Sequence, residues 1–394
     1  MIMPTTLDEI FEGQIESRPI EAISVEPPVP LEEIPTPALL IDEVAFQRNL
    51  ERMAGHITAS GLSLRAHAKM HKSPVVARKQ LAAGASGICC AKVAEAEVMQ
   101  RAGIKPILIT SPVVGKDSLR RVVRMAQHND ELQIVIDCQQ TADQLQRMLM
   151  DNAAKLDVLV DIDPGMGRTG IEAGQPAVDL VVHVVAHCPN LNFLGLQMYA
   201  GNCMHIPGHG ERRKKYFKVM EKGAVTRQMI EEAGIKVATV SGGGTGTYDL
   251  ERALGLITEL QAGSFAFMDI EYRDIGGVDN PLFVDFEIAL HLLVTAISQP
   301  QSTLITVDAG FKSLASDKMV PEFKDIEGLR YHWGGDEHGI VQLNNPSKLV
   351  NLGDKLKLLT PHCDPTVNLH DFYFVVRDDQ VHELWPISTR GLSR

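Results

Sequence analysis

The sequence predicts an α/β protein made of a closed (β/α)8 barrel of the TIM type over residues 36–278 and a mainly β C-terminal domain over residues 279–394. Two observations predict this architecture. Strand and helix patterns alternate with regular spacing from residue 62 to residue 265, and beyond about Gly276 they give way to short strands separated by turn residues. Eight repeats favour a closed barrel, with an open doubly wound sheet as the structural alternative.

The repeating part of the chain contains eight strand candidates and the helices that connect them. Several of these helices end at a glycine, as at Gly84, Gly103 and Gly234, where a left-handed residue caps the last turn. The predicted strands are 62–70, 87–91, 106–110, 132–137, 156–163, 193–199, 237–241 and 258–265, and the predicted helices are 74–83, 93–102, 116–127, 140–155, 176–188, 211–233 and 249–256.

The segment before the barrel, residues 1–35, contains six prolines among many acidic residues. This composition predicts an arm with little regular structure that packs on the β domain or on a partner subunit. A short strand at 37–41 and a helix at 44–59 then lead into the barrel. In the β domain, the predicted strands are 282–297, 302–307, 331–333, 340–343, 355–360 and 372–377.

Composition excludes several classes of partner. The formal net charge of -12 argues against nucleic acid or an anionic membrane, because both require a basic surface. No stretch reaches the roughly 18 apolar residues of a membrane span, and residues 1–13 lack the basic and apolar regions of a secretory leader. The six cysteines include no CxxC pair and fit reduced thiols, so we expect a cytoplasmic protein.

The stretch Arg65-Ala66-His67-Ala68-Lys69-Met70-His71-Lys72 carries the chemical signal of the first repeat. In a strand, its side chains alternate between an apolar face and a face with Arg65, His67, Lys69 and His71. A solvated charged face is the ordinary interpretation, but a parallel barrel strand is covered on both sides. We therefore predict that Lys69 has a lowered proton affinity and acts as an amine nucleophile that holds an aldehyde cofactor as a Schiff base.

Two further strand ends carry candidate side chains, because barrel chemistry lies where the strands end. After the fifth strand, the glycine-spaced loop 161–170 contains Arg168, which either reaches the barrel mouth or caps a turn carboxylate. After the sixth strand come Tyr199 and His205. A histidine in a loop is more often solvated than catalytic, so the sequence alone leaves both interpretations of His205 open.

The loop after the seventh strand is the most specific local signal. It reads Ser241-Gly242-Gly243-Gly244-Thr245-Gly246-Thr247-Tyr248, and its glycines allow backbone N–H groups to close around an anion, with a merely flexible loop as the alternative. A phosphate here and a reactive amine at strand one suit pyridoxal phosphate. The candidate phosphate ligands in this loop and after the eighth strand are Ser241, Gly243, Gly244, Thr245, Gly263 and Ser264.

In the β domain, Pro361-His362-Cys363-Asp364-Pro365 places two metal-ligand types two residues apart. On an extended segment, His362 and Asp364 project to one side and Cys363 to the other. An imidazole and a carboxylate suit a divalent cation of the manganese or magnesium type, whereas thiolate ligation would favour zinc. A structural turn with a buried histidine is the ordinary alternative for so short a motif.

Taken in order, four segments resemble the D-threonine aldolase and D-serine dehydratase family over residues 36 to 394. They are the Lys69 stretch, Gly167-Arg168-Thr169-Gly170, the glycine loop, and His362-Cys363-Asp364-Pro365-Thr366 with Asn368-Leu369-His370-Asp371. The resemblance implies a pyridoxal phosphate enzyme with the alanine-racemase-type fold (fold type III). It also implies a divalent metal, manganese with magnesium or cobalt as alternatives, and a homodimer.

The resemblance implies cofactor roles for three positions. Lys69 would form the internal aldimine, and Arg168 would lie against the pyridine nitrogen. Tyr199 and the loop at 241–247 would bind the phosphate. One departure is Ala66, where many members of the family have proline.

The resemblance also implies the reaction. His205 would be the catalytic base, and His362 and Asp364 would hold the metal for retro-aldol cleavage of a D-3-hydroxy-amino acid, with D-threonine giving glycine and acetaldehyde. Dehydratase members have cysteine in place of Asp364, which favours an aldolase over a dehydratase of D-serine or D-3-hydroxyaspartate. A 3-hydroxy-D-aspartate aldolase stays open as an alternative. A racemase needs no metal pair, and a non-catalytic pyridoxal phosphate carrier would lack the β domain.

Overall fold

The protein, in a computed structural model that describes residues 18–394, consists of two sheets with helices around the first. None of the helices within these residues combines the length and apolar character of a membrane span. The strands are β1 Ile23–Pro30, β2 Ala38–Asp42, β3 Ser63–His67, β4 Gly87–Cys90, β5 Ile107–Ile109, β6 Leu132–Ile136, β7 Leu156–Asp163, β8 Ile171–Glu172, β9 Leu191–Met198, β10 Thr239–Gly242, β11 Glu259–Leu260, β12 Leu290–Gln301, β13 Leu304–Val307, β14 Glu322–Phe323, β15 Leu329–Trp333, β16 Gly339–Leu343, β17 Lys355–Leu359, β18 Phe372–Arg377 and β19 Gln380–Pro386. The α-helices are α1 Glu43–Ser60, α2 Pro74–Ala82, α3 Val93–Arg101, α4 Lys116–Ala126, α5 Gln139–Asp151, α6 Gln175–His187, α7 His209–Glu232, α8 Glu251–Leu254, α9 Ile270–Arg273 and α10 Cys363–Val367.

The first sheet is the predicted closed barrel. Its parallel strands follow the order β6-β5-β4-β3-β11-β10-β9-β7, and β6 also pairs with β7, which closes the ring. The two-residue strand β8 is attached to β7 outside the ring. The closed barrel is confirmed, and the strands form because their Val, Ile and Leu residues are covered by helices on one side and by the barrel interior on the other.

The second sheet follows the order β1-β19-β18-β2-β12-β13-β16-β15, with β17 pairing β12 and β14. Strand β2 lies inside this sheet, parallel to β18 and antiparallel to β12. The sequence-based boundary at residue 36 assigned this segment to the barrel domain, and the sheet pairing differs from that assignment. The apolar run at 38–41 is buried because it is a central strand of the second sheet.

Strand β1 corrects the expectation of an arm with little regular structure. It pairs antiparallel with β19, and its register shifts between Ser24 and Val29. Pro27, Pro28 and Pro30 are tolerated because β1 is an edge strand, whose outer side has no pairing partner within residues 18–394. Residues 1–17 of the predicted arm lie outside the described residues.

Several predicted strands are shorter than expected. The first barrel strand ends at His67 rather than at residue 70, and the predicted strand at 282–297 begins only at Leu290. The chain leaves β3 in a turn that ends at Lys72, which has a left-handed φ of 52°. The segment predicted to be extended at 361–365 also differs, because Cys363 begins the short helix α10.

The turn at residues 68–72, which we call the lysine turn, is held by contacts from the barrel domain and from the second sheet. The hydroxyl of Tyr373 in β18 donates to the carbonyl of His71 at 2.6 Å, and all of Tyr373 is buried. The ammonium of Lys72 pairs with the buried Glu95 of α3. The second sheet therefore contributes directly to the shape of the turn.

A buried carboxyl group supports the glycine loop. Oε1 of Glu251 accepts hydrogen bonds from the hydroxyls of Tyr216 at 2.7 Å and Thr247 at 2.9 Å. Burial raises the pKa of Glu251 to about 8, so the group is neutral at pH 7. A Cβ at Gly243, whose φ is +67°, would lie 2.4 Å from Oε1 of Glu251. Glycine is therefore required where the loop rests on this acid.

Replacing Tyr373 with phenylalanine is expected to destabilise the protein. The substitution removes the hydroxyl that donates to the buried carbonyl of His71. The free energy of unfolding should fall by about 1–3 kcal/mol. The measurement is the free energy of unfolding from denaturant titration. Tyr331→Phe is the matched control, because Tyr331 also donates a buried hydroxyl, to the carbonyl of Ala309 at 2.8 Å. Equal losses of stability are expected, but only Tyr373→Phe should change the rate at which Lys69 is labelled by an amine-reactive aldehyde.

Replacing Glu251 with glutamine is expected to change how stability depends on pH. The folded protein keeps a proton on Glu251 up to about pH 8, whereas an ordinary glutamate has a pKa of 4.5. Glu251 therefore makes stability fall as pH rises through this window, by up to about 1.4 kcal/mol per pH unit. Glutamine has no such proton, so Glu251→Gln should gain stability relative to the wild type as pH rises. The measurement is the free energy of unfolding of each protein as a function of pH, with the exposed Glu232→Gln as the control variant. If Glu251→Gln shows the same pH dependence as the wild type and the control, the assignment is contradicted.

Candidate active site

A cavity of about 490 Å³ opens at the carboxyl ends of the barrel strands, the end at which barrels carry their chemistry. Seven of the predicted cofactor residues line it, from the loops after the first, fifth, sixth, seventh and eighth strands. They are Lys69, Arg168, Tyr199, Gly244, Thr245, Gly263 and Ser264.

Lys69 lies in the lysine turn, directly after β3. Its Nζ is 3.7 Å from Oδ1 of Asp364 in the β domain. This carboxylate raises the pKa of the ammonium and outweighs the opposite effect of burial. The expectation of a lowered proton affinity is therefore wrong for this structure, because it considered the cations of the stretch and not a carboxylate from a distant part of the chain. Asp364 thus pairs with Lys69 and is also a predicted metal ligand.

The histidines of the stretch are neutral rather than cationic. Nδ1 of His67 accepts from the backbone N–H of Lys69 at 3.3 Å, and its Nε2 lies 3.2 Å from the hydroxyl of Thr110. Burial, followed by the charge of Lys69, lowers the pKa of His67 well below its ordinary value. Burial also lowers the pKa of His71 to about 3. His67 lines the cavity and so presents a neutral ring beside the lysine.

The side chain of Ser241, a predicted phosphate ligand, points away from the cavity. Its side chain is buried inside the barrel, donates to Oε1 of Glu259 at 2.7 Å and accepts from Nε2 of Gln261 at 3.0 Å. The same Glu259 oxygen lies 2.9 Å from Nε of Arg65. Ser241 was predicted to bind an anion because it precedes the glycines, but the alternation of β10 turns its hydroxyl into the barrel. Gly243 likewise rests on Glu251, and neither residue is among those that line the cavity.

Gly244 and Thr245 are the part of the glycine loop that faces the cavity. A Cβ at Gly244 would lie 2.8 Å from the sulfur of Met204, so the position has no room for a side chain. The hydroxyl oxygen of Thr245 accepts from the backbone N–H of Phe265 at 3.0 Å, which leaves its proton available to a ligand. These groups, with Gly263 and Ser264, form a neutral donor-rich end of the cavity suited to a phosphate.

Arg168 and Tyr199 lie together on another side of the cavity. The guanidinium carbon of Arg168 is 5.5 Å from the ring centroid of Tyr199, a cation–π distance. The carboxylate of Asp163 shapes the preceding loop by accepting the backbone N–H groups of Gly165 at 2.9 Å and Met166 at 2.8 Å. Backbone N–H groups therefore cap the carboxylate of Asp163. In the alternative prediction, Arg168 was to cap a carboxylate of this turn.

The floor of the cavity is a buried polar network that sequence reasoning missed. Nε2 of Gln197 donates to Oδ1 of Asp161 at 2.8 Å, and Nε2 of Gln261 donates to Oε1 of Gln197 at 3.0 Å. Burial raises the pKa of Asp161 to about 6. The available signal was a polar residue near the carboxyl end of each strand, Asp161 in β7 and Gln197 in β9.

The predicted base and metal ligands meet beside the cavity around Glu271 of α9. Nδ1 of His205 lies 3.5 Å from Oε1 of Glu271, and Nε2 of His362 lies 3.8 Å from its Oε2. Nδ1 of His362 is 2.9 Å from Oδ2 of Asp317. The ammonium of Lys318 also pairs with Glu271. Two histidines that are far apart in the sequence are thus oriented by one carboxylate.

His205 has the features of a base. Its ring packs against that of Tyr272, a cavity-lining residue, at a centroid distance of 4.4 Å and an interplanar angle of 51°. Burial lowers the pKa of His205 to about 4, against the opposing effect of Glu271, so the imidazole is neutral near pH 7. Its Nε2 is buried and has no hydrogen-bond partner within residues 18–394. A neutral nitrogen with a free lone pair beside the cavity can accept a proton from a bound substrate.

The donor set around His362 fits a divalent cation of the oxygen-preferring type. Asp317 holds Nδ1 of His362, which leaves Nε2 to face inward as in metal-ligating histidines. Asp364 adds a carboxylate, and Oε2 of Glu271 is buried without a hydrogen-bond partner among the described residues. Cys363 is fully buried and donates its S–H to the carbonyl of Met268 at 3.0 Å, so the thiol points away as predicted. These nitrogen and oxygen ligands, with no thiolate among them, suit a divalent metal.

Glu271, Asp317 and Lys318 were missed from the sequence. They lie in short connections around α9 and before β14, where no periodicity marks them. The one available signal was Asp269-Ile270-Glu271, an acidic pair after the eighth strand where barrel chemistry is expected.

Comparison with known proteins places the chain among relatives of known activity. The family model of the alanine racemase N-terminal domain matches residues 41–270, and a serine dehydratase domain model matches residues 289–376. A D-threonine aldolase of Arthrobacter sp. is 38% identical over 379 residues, which cover 95% of this chain and 99% of that protein. A 3-hydroxy-D-aspartate aldolase of Paracoccus denitrificans (strain Pd 1222) is 35% identical over 362 residues, 91% of this chain and 93% of that protein.

A solved structure gives the same result. The crystal structure of D-threonine aldolase from Filomicrobium marinum matches with a TM-score of 0.89 and 37% identity, covering 93% of this chain and 99% of that one. The agreement extends over both the barrel and the second sheet. The chain therefore belongs to the alanine-racemase-fold family of lyases that includes D-threonine aldolase and 3-hydroxy-D-aspartate aldolase.

Proposed function

We propose that this lyase uses pyridoxal phosphate and a divalent metal to cleave D-3-hydroxy-amino acids by a retro-aldol reaction, converting D-threonine to glycine and acetaldehyde. The supporting observation is that a neutral histidine and a histidine–carboxylate pair lie beside the cavity that contains Lys69. An amine that captures an aldehyde, a base and a metal site are the parts that such a cleavage requires. The 38% identity to a D-threonine aldolase supports the same substrate.

The cavity residues would bind the cofactor. Pyridoxal phosphate, when bound, supplies the ring system that accepts the electron pair of the breaking Cα–Cβ bond. Lys69 supplies the amine that holds its aldehyde, and Arg168 supplies a cation at the ring. The phosphate would be bound by Tyr199, Gly244, Thr245, Gly263 and Ser264, with Ser241 and Gly243 supporting the loop from behind.

His205 would act as the base. Its neutral Nε2 accepts the proton of the substrate 3-hydroxyl, whose oxygen then forms the carbonyl of the aldehyde product as the Cα–Cβ bond breaks. The α-carbon takes up one proton to give glycine. Glu271, 3.5 Å from Nδ1 of His205, orients the ring so that Nε2 faces the substrate.

His362 and Asp364 would hold the metal, most readily manganese, with magnesium or cobalt as alternatives. A metal held there would supply Lewis acidity that lowers the pKa of the substrate 3-hydroxyl. Engagement of Asp364 by a cation would also withdraw its carboxylate from Lys69, which favours the neutral amine. D selectivity follows because His205 and the metal pair lie on one side of the cavity.

The substrate range includes a second candidate of the same chemistry. Cleavage of 3-hydroxy-D-aspartate is supported by the 35% identical aldolase that carries this name. A dehydratase is disfavoured because Asp364 stands where dehydratases have a cysteine, and Cys363 is turned away from the site. A non-catalytic cofactor carrier is disfavoured because the second sheet contributes Asp364 and His362.

We also propose that the protein is a cytoplasmic homodimer. The dimer is what the family resemblance implies. The cytoplasm is supported by the six cysteines, all of which are free thiols and five of which are buried.

The function is tested by product analysis with D-threonine. The cofactor-loaded protein with manganese should release glycine and acetaldehyde in equal amounts, should lose this activity with a chelator, and should recover it when manganese is added back. L-threonine is the control and should give no product. Formation of 2-oxobutanoate and ammonia would instead identify a dehydratase. Cleavage of 3-hydroxy-D-aspartate alone would identify the second candidate.

Replacing His205 with alanine is expected to lower kcat by about 10²–10⁴-fold, because the proton acceptor is lost. The visible absorbance of the bound cofactor should be unchanged, since His205 does not contact Lys69. The measurement is steady-state cleavage of D-threonine together with the absorbance spectrum.

His209→Ala is the matched control. His209 lies four residues further on and faces away from the cavity, with its Nε2 2.7 Å from Oδ2 of Asp249. This variant should retain activity. Wild-type kcat in His205→Ala, or an equal loss in both variants, would remove His205 from the mechanism.

A further inference from the structure

A second group of metal-ligating side chains lies on the outside of the barrel, between α5 and α6. Asp143 of α5, His183 of α6 and Cys188, which follows α6, each offer one ligand atom, and the three atoms lie within 4.8 Å of one another. Nε2 of His183 is 2.6 Å from Oδ1 of Asp143. None of these residues lines the catalytic cavity.

The spacing suits a tetrahedral zinc ion. Zinc binds sulfur at about 2.3 Å and nitrogen or oxygen at about 2.0–2.2 Å, which holds tetrahedral ligand atoms roughly 3.2–3.8 Å apart. Nε2 of His183 and Oδ1 of Asp143 are closer than this, at 2.6 Å. The upper limit for the distances among the three ligand atoms, 4.8 Å, is larger than this range. Small side-chain rotations would therefore bring the three atoms to coordination distance.

The cysteine supplies an independent reason to expect a ligand. Cys188 is 1% exposed, and its thiol makes no hydrogen bond within residues 18–394 although it faces two polar side chains. The side chains of His183 and Asp143 are 17% and 37% exposed, so an ion can reach the group from solvent. A buried sulfur with an open polar side is the arrangement that a thiolate-binding metal requires.

The backbone around the group is fixed by a separate contact. Gln146 and Asn190 exchange two hydrogen bonds across the same helix pair, from Nε2 of Gln146 to Oδ1 of Asn190 at 2.9 Å and from the backbone N–H of Asn190 to Oε1 of Gln146 at 2.8 Å. Gln146 is three residues after Asp143, and Asn190 is two residues after Cys188. The ligand-bearing ends of α5 and α6 are therefore held together before any ion binds.

We propose that Asp143, His183 and Cys188 bind zinc, with water in the fourth position. Binding releases the thiol proton to solvent and links α5 to α6 through one ion. Sulfur, imidazole and carboxylate ligands select zinc, whereas the oxygen and nitrogen ligands of the catalytic pair suit manganese. The site is structural, and it does not depend on the proposed aldolase function.

The test uses cobalt(II) as a spectroscopic probe of the full-length holoenzyme after chelator treatment under reducing, oxygen-free conditions. A thiolate ligand gives cobalt an intense near-ultraviolet charge-transfer band, which the His362–Asp364 pair cannot give. The band is expected in the wild type and in His362→Ala. It should be absent in Cys188→Ser and weakened in His183→Gln.

Cys138→Ser is the matched control. Cys138 lies on the same helix pair, directly before α5, and its Sγ is 3.2 Å from the hydroxyl of Thr141. The control should keep the band. Zinc affinity, measured by competition with a chromophoric chelator, should fall at least about 100-fold in Cys188→Ser, more than the loss of an outer-shell partner usually costs.

Thermal unfolding gives a second measurement. Zinc should raise the Tm of the wild type and of Cys138→Ser, because it binds the folded protein, and should not raise the Tm of Cys188→Ser. A charge-transfer band that persists in Cys188→Ser, a band that disappears in His362→Ala, or no band in the wild type would each overturn the proposal. Circular dichroism of each variant verifies that it is folded.

Discussion

The position of Lys69, the proposed reactive lysine, depends on contacts from both the barrel and the second sheet. The lysine turn follows a barrel strand, but Tyr373 of the second sheet donates to the carbonyl of His71. The carbonyl of Lys72 accepts from the backbone N–H of Thr389 at 3.0 Å. The barrel alone does not fix the direction of Lys69. The second sheet is thus part of the amine's environment, both through these backbone contacts and through the carboxylate that raises its pKa.

The segments that bear Glu271 and the predicted metal ligand His362 are also held together by contacts between distant parts of the chain. Asp269 begins α9 by accepting the N–H of Tyr272 at 2.9 Å, and its other oxygen accepts the N–H of Cys363 at 2.8 Å. One buried carboxylate therefore sets the helix that bears Glu271 against the segment that bears His362. Because hydrogen bonds of this kind leave little freedom, the proposed base and metal ligands keep a common orientation although they come from different parts of the chain.

Elements whose residues are buried on both faces could be predicted from the sequence. Side chains whose hydrogen-bond partners lie far away in the sequence could not. Barrel strands could be predicted because parallel strands buried on both faces are continuous apolar runs. Strand β1 was hidden by its prolines, and β19 was missed because Asp378 and Asp379 form the tight turn before it with φ of 51° and 55°, values more typical of Asn or Gly. The orientation of Ser241 could not be predicted, because only the fold shows that Glu259 accepts its hydroxyl. Glu271 carries no periodic pattern, and its one local signal is the acidic pair that it forms with Asp269 after the eighth strand.

The inclusion of β2 in the second sheet has a consequence for biosynthesis. Its neighbours β12 and β18 follow the whole barrel, and Ile41 pairs with Val375. At about 5–20 residues per second, roughly 330 residues of translation separate the two partners by tens of seconds. Both edges of β2 stay open until β12 has been made, and the edge that pairs with β18 stays open for the whole time. An apolar strand with an open edge is the kind of segment that associates with other chains. The barrel can assemble as it leaves the ribosome, but the second sheet can form only when the last strands have been made.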